Sequence, residues 1–138
     1  MLKIDVFIGM NTQKGFEKQP EVLVTPDTGA AHSGDDIMWH FHSMDDRVQS
    51  VVVKFADKKD KFFEKRDSPM ASTKCHTHLH GKSSKGKGKH GHLLGTAPPL
   101  KGGRNVKPSK YTIDAFSGKD GKGDKLYTLD PVVVTCDP

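Results

Sequence analysis

Histidines are concentrated in one short part of this chain. Five of the eight histidines and one of the two cysteines fall within eighteen residues, between positions 75 and 92. Neutral imidazole is a ligand for Zn, Cu and Ni, and thiolate is a ligand for Zn and Cu(I). The segment therefore predicts that the protein binds one of these metals. The candidate ligands in it are Cys75, His76, His78, His80, His90 and His92.

The spacing of these side chains limits how they could meet at one ion. In an extended chain His76, His78 and His80 would point to the same side at intervals of about 6.5–7 Å, so the backbone must bend to bring them together. Two ligands from this run and two from His90 and His92 would complete a tetrahedral site. The alternative is adventitious metal binding by a flexible loop in which nearby lysines repel the cation.

A second candidate pair lies earlier, in a stretch that alternates between apolar and polar residues. His40 and His42 stand at positions i and i+2, and Asp45 and Asp46 follow closely. In a strand, residues two apart share one face, so both imidazoles would point away from the core together. The pair predicts a metal site at the surface, two solvated or interface histidines, or histidines that hold residues 66–109 by hydrogen bonds if that segment covers the face.

Patterns of catalytic residues are not found in the sequence. The serines lack the Gly-x-Ser-x-Gly context of a nucleophile. Gly81 to Lys87 has the gap of a phosphate-binding loop, but Gly88 replaces the required Ser or Thr. We therefore expect no enzyme activity. Because no aromatic residues interleave with the lysines, we expect at most weak, nonspecific contact with nucleic-acid phosphates.

Composition and charge bound the class of protein. The 138 residues predict a single domain over 1–138, and the apolar fraction of 33% lies below the usual ~45–50%. No apolar run approaches the ~18–20 residues of a membrane span. The N-terminus lacks the apolar region of a signal peptide. We expect no membrane span and a cytoplasmic location for the chain as given, with a mature exported form left open.

The two cysteines leave the redox state open. Cys75 and Cys136 would pair in an oxidising compartment and stay reduced otherwise.

The stretch from Gly34 to His42 positions the first histidine pair. Its period of two predicts a strand that buries Ile37, Trp39 and Phe41 and turns the histidines outward. The polar turn 43–47 and a second strand, 48–55, follow, and they predict an antiparallel hairpin. Further strands are predicted at 2–8, 21–25, 111–116 and 126–135, with a polar loop at 9–20.

Two regions depart from this simple strand pattern. Pro131 falls within the last predicted strand and indicates an edge position or a bulge. Residues 57–65 form either one helical turn or a loop held by Phe62 and Phe63.

The strands together predict an all-β, antiparallel β-sandwich. Its core strands lie within 2–56 and 110–136. Residues 66–109 show little periodicity and are predicted to form a long basic, His-rich insertion.

The order of these motifs resembles a cupredoxin-like domain, and the architecture could also be immunoglobulin-like. The matching features are Val24-Thr25-Pro26, Gly34-Asp35 before Ile37-x-Trp39-x-Phe41, a Val-rich strand that ends at Phe55, and Tyr111-x-Ile113-x-Ala115 before a final Val-rich strand. The resemblance covers residues 2–56 and 110–136, and is greatest to uncharacterised bacterial proteins of this type.

The resemblance implies positions for a type 1 copper site, and these positions lack its ligands. The first histidine would stand near Gln49-Ser50, and the cysteine at Ala115. The second histidine and the methionine would follow in 117–125, which contains neither. We therefore expect no type 1 copper site.

Three functions stay open on the sequence alone. The first is non-enzymatic binding of a divalent metal through the His-rich segment. The second is a structural module that assembles into a homo-oligomer through its strands and insertion. The third is nonspecific binding of an anionic polymer.

Overall fold

The computed structural model describes residues 1–9, 22–64, 71–82, 88–100 and 102–137. Most of the predicted polar loop 9–20 and the lysine-rich residues 83–87 lie outside these ranges, as does the side chain of Val22. The described residues form strands β1 (Leu2–Ile8), β2 (Val22–Thr25), β3 (Thr28–His32), β4 (Asp36–Ser43), β5 (Ser50–Phe55), β6 (Phe63–Glu64), β7 (Ala71–Ser72), β8 (Lys74–His78), β9 (His80–Lys82), β10 (Gly88–Thr96), β11 (Val106–Phe116), β12 (Lys125–Leu129) and β13 (Val132–Cys136).

Two sheets pack face to face, so the predicted all-β sandwich is confirmed. The first sheet has the order β2-β1-β4-β10-β9, and the second has the order β3-β13-β11-β5-β8 with β12 alongside β11. A two-stranded ribbon, β6-β7, stands apart. The sheets are mixed rather than wholly antiparallel, because β1 runs parallel to β4 and β3 runs parallel to β13.

Trp39 lies at the centre of the core, as its alternating strand predicts. The side chain is fully buried, and its rings contact those of Phe55, Phe63 and Tyr111 with centroids 5.4–6.3 Å away. Phe62 and Phe63 are also buried, which confirms that aromatic residues hold the 57–65 loop. The described part of the chain contains one helical element, the three-residue turn Lys119–Gly121, and no helix there could span a membrane.

The predicted hairpin of the Trp39 strand and the Val-rich strand is wrong. β4 belongs to the first sheet and β5 to the second, so the connecting residues cross between sheets. Val48 in this connection is fully buried and fixes the crossing. The buried Lys89 ammonium supports it by donating hydrogen bonds to the carbonyl oxygens of Asp46 and Val48.

The prediction that residues 66–109 form an insertion outside the strands is also wrong. They supply β7 to β10 and the start of β11, and β10 fills a position between β4 and β9 in the first sheet. Buried Leu79, Leu93 and Ala97 anchor this segment in the core. The His-rich residues are therefore held on sheets and not in a free loop.

The last predicted strand is interrupted at its proline. β12 and β13 flank Asp130-Pro131, and both pair with β11. Cys136 in β13 and Cys75 in β8 are free thiols. The two strands are separated by β11 and β5, which places them about 14 Å apart at ordinary strand spacing, too far for a disulfide.

A network around Asp45 fastens the turn after β4 to β12. The Asp45 carboxylate accepts hydrogen bonds from the Arg47 guanidinium and from the Tyr127 hydroxyl, each at 2.6 Å. The hydrogen bond from Arg47 is the largest of the effects that lower the pKa of Asp45 to about 2, and burial opposes them. The folded protein therefore favours the ionised carboxylate.

We expect Tyr127→Phe to lower the free energy of unfolding by about 1–2 kcal/mol at pH 7, because it removes a hydrogen bond to a carboxylate.

The pKa of Asp45 lies below its ordinary value of 3.8 in the folded protein. Its contribution to stability is therefore complete above about pH 4 and is lost as the pH falls toward 2. Urea unfolding of wild type and Asp45→Asn at pH 7 and pH 3 measures this contribution. Equal loss of stability between the two pH values in both proteins would contradict it.

Candidate metal centre

Four histidines meet on the outer face of the first sheet. β4 buries Trp39 and Phe41 and turns His40 and His42 outward. β10 pairs with β4 so that His90 lies opposite His42 and His92 lies opposite His40. We call His40, His42, His90 and His92 the four-histidine cluster. Residues 48 and 52 positions apart in the chain, the differences between the paired numbers, are thus brought together by strand pairing alone.

Three of the four imidazoles in the cluster lie close enough together that they could hold an ion. Ring centroids are 3.9 Å apart for His40 and His42, 4.2 Å for His40 and His92, and 5.0 Å for His42 and His90. One nitrogen from each of His40, His42 and His90 lies within 4.8 Å of the others. Nitrogens around a tetrahedral zinc ion are about 3.3 Å apart, given Zn–N bonds of about 2.0–2.1 Å. Small side-chain rotations would therefore bring the three into coordination distance.

Asp5 and Phe7 of β1 orient the cluster from its other side. Asp5 Oδ1 lies 3.1 Å from Nε2 of His42 and 3.7 Å from Nδ1 of His40. The Phe7 ring stacks on His42 with centroids 4.8 Å apart. A carboxylate bonded to one imidazole nitrogen fixes the ring and raises the basicity of the other nitrogen. Asp5 can therefore orient a ligand or act as one.

The cluster keeps His40 uncharged at neutral pH. Burial is the largest effect, and together with the neighbouring His42, His92 and His90 it lowers the pKa of His40 to about 4, while Asp5 acts in the opposite direction. A neutral imidazole has a lone pair free to bind a metal, so no proton must be displaced from His40 at pH 7.

Gly91, which lies between the two outward histidines of β10, occupies a position where the fold leaves no room for a side chain. A Cβ atom on Gly91 would lie 2.7 Å from the carbonyl oxygen of His78 and 2.7 Å from Leu79 Cδ2. The backbone that crosses from β8 to β9 therefore passes directly against the inner side of β10. Any larger residue at 91 would push β10 away from this crossing and disturb His90 and His92.

A second group of ligands lies on the second sheet. His78 Nε2 and His76 Nε2 of β8 lie 3.0 Å and 3.4 Å from Asp120 Oδ1. We call His76, His78 and Asp120 the Asp120 cluster. Asp120 has a φ of 59° and is the acidic residue of the 119–121 turn. These side chains are 41–57% exposed, so solvent competes with a metal here more than at the four-histidine cluster.

The structure does not bring the predicted tetrahedral set together. His76 and His78 lie on β8 in the second sheet, whereas His90 and His92 lie on β10 in the first. The buried Leu79 separates His78 from His80, which lies on β9 opposite His90. The run of three histidines is therefore divided between two sheets.

Cys75 is turned away from both clusters. It alternates with the outward histidines of β8 and packs against the core beside its strand partner, Val53. Burial raises the pKa of its thiol, so the thiolate that metals bind is disfavoured.

Asp5 and Asp120 are the residues that reasoning from sequence missed. Asp5 does stand on the outward side of an alternating strand, but only the parallel pairing of β1 with β4 places it against His40. Asp120 lies in a glycine-lysine-aspartate loop with no periodic pattern.

Comparison with known proteins adds no family. No protein-family model matches this chain, and no curated protein matches it.

Proposed function

We propose that this protein is a non-enzymatic binder of a divalent transition metal and that the four-histidine cluster is its principal site. The observation that carries the proposal is the convergence of nitrogens from His40, His42 and His90 within 4.8 Å of one another. Two adjacent strands hold these side chains, so the ligands are preorganised before an ion arrives.

The chemistry of the donors selects the metal class. Imidazoles with one nearby carboxylate suit Zn(II), Cu(II) and Ni(II), whereas Mg(II) and Ca(II) prefer oxygen ligands. Because no thiolate belongs to the cluster, Cu(II) bound there would lack the intense blue thiolate-to-copper band. His92 and Asp5 are the side chains available to complete four-fold coordination around the ion.

We also propose that the sandwich is a cupredoxin-like domain without a type 1 copper site. At two positions where the resemblance would place copper ligands, the protein has buried residues with other roles. The Ser50 hydroxyl donates a hydrogen bond to the Gly118 carbonyl at 2.6 Å, and the Ala115 side chain is packed in the core. These packing roles favour a metal site at the sheet surface over one at the copper position.

Two pairs of histidines provide a matched test of this site. We expect His42→Gln/His90→Gln to weaken Zn(II) binding at the tightest site by about 100-fold, because each variant side chain removes a ligand. His76→Gln/His78→Gln removes the same number of histidines from the Asp120 cluster and should change that affinity by less than about threefold. Isothermal titration of the full chain at pH 7.5 gives the stoichiometry and both affinities.

Two outcomes would overturn the proposal. One is weak, multi-site binding by wild type without a defined stoichiometry, which indicates adventitious binding by many histidines. The other is an equal loss of affinity in both double variants. Circular dichroism of each variant without metal checks that the sheets remain folded.

The alternative functions, a self-assembling homo-oligomer and a nonspecific binder of anionic polymers, remain predictions from the sequence.

A further inference from the structure

A cavity of about 670 Å³ opens at the end of the sandwich remote from His42 and His90. It lies where the β3–β4 turn, the 57–62 loop and the segment after β10 meet the start of β11. Backbone hydrogen bonds tie these segments together around the cavity. The Thr96 amide donates to the Phe62 carbonyl, and the Gly34 amide donates to the Ala97 carbonyl. The cavity is therefore a formed part of the fold and separate from both metal clusters.

Two buried hydroxyl groups in the cavity wall have no partner among the described residues. Ser109 Oγ and Thr135 Oγ1 make no hydrogen bond, although the residues are only 2% and 1% exposed. Ser109 pairs with Val133, so Thr135 is its diagonal neighbour on the adjacent strand and on the same inward face. A buried hydroxyl without a partner costs free energy, and a bound polar ligand or a buried water would supply the missing hydrogen bonds.

The charges around the cavity favour an anion. Lys107 donates to Asp60 at 2.7 Å and to Asp57 at 3.3 Å, so the two carboxylates that line the cavity share one ammonium group. The other charged side chains in the wall are basic: Lys59, Lys61 and Arg104. One of them, Lys59, also acts electrostatically on the Asp57 carboxylate. Four basic and two acidic lining residues leave a net charge of +2.

The remaining walls require an apolar body on the ligand. Pro98, Pro99 and Leu100 also line the cavity and are partly or fully exposed, while Phe62 and Ala97 in the same wall are almost fully buried. An inorganic anion would leave these surfaces wet, whereas a flat or branched hydrocarbon group would cover them.

We propose that this cavity binds a small organic carboxylate with an aromatic or branched apolar body. The Ser109 and Thr135 hydroxyls donate hydrogen bonds to its carboxylate. Lys59, Lys61 and Arg104 at the rim favour its charge, and Phe62 and the proline-rich segment contact its hydrocarbon part.

A defined probe, 2-naphthoate, tests the proposal on the full chain in the presence of EDTA, which keeps metal out of the experiment. We expect saturable shifts of the amide NMR resonances of Lys61, Ala97 and Ser109. The neutral 2-naphthamide should bind about tenfold more weakly, because it has the same shape without the charge. Arg104→Gln should weaken binding of the carboxylate and leave that of the amide unchanged.

A variant without the hydroxyls separates ligand binding from a structural role. Ser109→Ala/Thr135→Val should bind 2-naphthoate about tenfold more weakly while its melting temperature stays equal or rises, because unpartnered polar groups are removed. Thr112→Val, on the outward face of the same strand, should match wild type in both measurements.

Several results would overturn the proposal. They are absence of saturable shifts at the cavity, equal binding of 2-naphthoate and 2-naphthamide, and tighter binding of the cationic 2-naphthylmethylamine. Loss of stability in Ser109→Ala/Thr135→Val with unchanged affinity would likewise assign the hydroxyls to buried water. None of these measurements depends on Zn(II) binding.

Discussion

Lys107→Met is expected to lower the free energy of unfolding by about 3 kcal/mol, because it leaves a buried carboxylate without its cation. The Asp60 side chain is only 2% exposed, and its Oδ1 accepts a hydrogen bond from the Lys107 ammonium at 2.7 Å. That hydrogen bond is the largest of the effects that raise the pKa of Lys107. The contribution of the Lys107–Asp60 pair to the free energy of unfolding is therefore complete below about pH 10.5. It is lost as the pH rises through the pKa of Lys107 in the folded protein.

Paired variants separate the lost interaction from the lost side chain. Asp60→Asn/Lys107→Met removes both charges and should recover most of the stability, whereas the exposed control Lys110→Met should stay within about 0.5 kcal/mol of wild type. Urea unfolding at pH 7 followed by circular dichroism measures all four proteins. A double variant as unstable as Lys107→Met would show that packing, rather than the uncompensated charge, causes the effect.

Trp39→Ala is expected to lower the free energy of unfolding by about 3–5 kcal/mol, as much as Lys107→Met or more. The fully buried indole contacts three aromatic rings, and its Nε1 donates a hydrogen bond to the Tyr111 hydroxyl at 3.3 Å. Truncation would leave a large cavity and a buried hydroxyl that loses this donor. The same burial raises the pKa of Tyr111 to about 12.

Trp39→Phe serves as the matched control, because it retains an aromatic ring and removes only the indole nitrogen and part of the volume. We expect it to cost about 1–2 kcal/mol. Unfolding must be followed by circular dichroism, since the variants lack the single tryptophan as a fluorophore. A loss below about 1 kcal/mol for Trp39→Ala would contradict the central position of this side chain.

The faces of β4 could be predicted from sequence because the period of two is complete there. Ile37, Trp39 and Phe41 are apolar, and His40 and His42 alternate with them on the other face. Both the buried indole and the outward direction of His40 and His42 follow from that alternation.

The position of β10 could not be predicted, and the reason lies in its inward face. Its inward residues include Gly91, Leu93 and Gly95, so the apolar alternation that marks a strand is hidden. Glycine is needed because a Cβ on Gly95 would lie 2.9 Å from the Phe62 carbonyl oxygen and 2.9 Å from Trp39. Close packing thus requires glycine where a strand usually shows apolar side chains. Without that apolar pattern, neither β10 nor the pairing of His90 with His42 could be predicted.

The sequence also failed to show where the chain crosses from one sheet to the other. This is why the predicted hairpin and the predicted grouping of the histidine run were wrong. A short polar turn predicts that β4 and β5 pair, yet buried Val48 carries the chain into the other sheet. Buried Leu79 similarly divides His76 and His78 from His80. Single apolar residues between strands decide these crossings, and they resemble ordinary loop residues in the sequence.

The pairing of His42 with His90 would make a bound ion a reversible crosslink between distant parts of the chain. An ion held by both residues closes a loop of 48 residues, the difference between the two positions. An ion that binds only the folded protein stabilises it by mass action, so the stability gained rises with the free metal concentration. In this respect the ion would act as a staple for a chain in which no disulfide forms between the two cysteines.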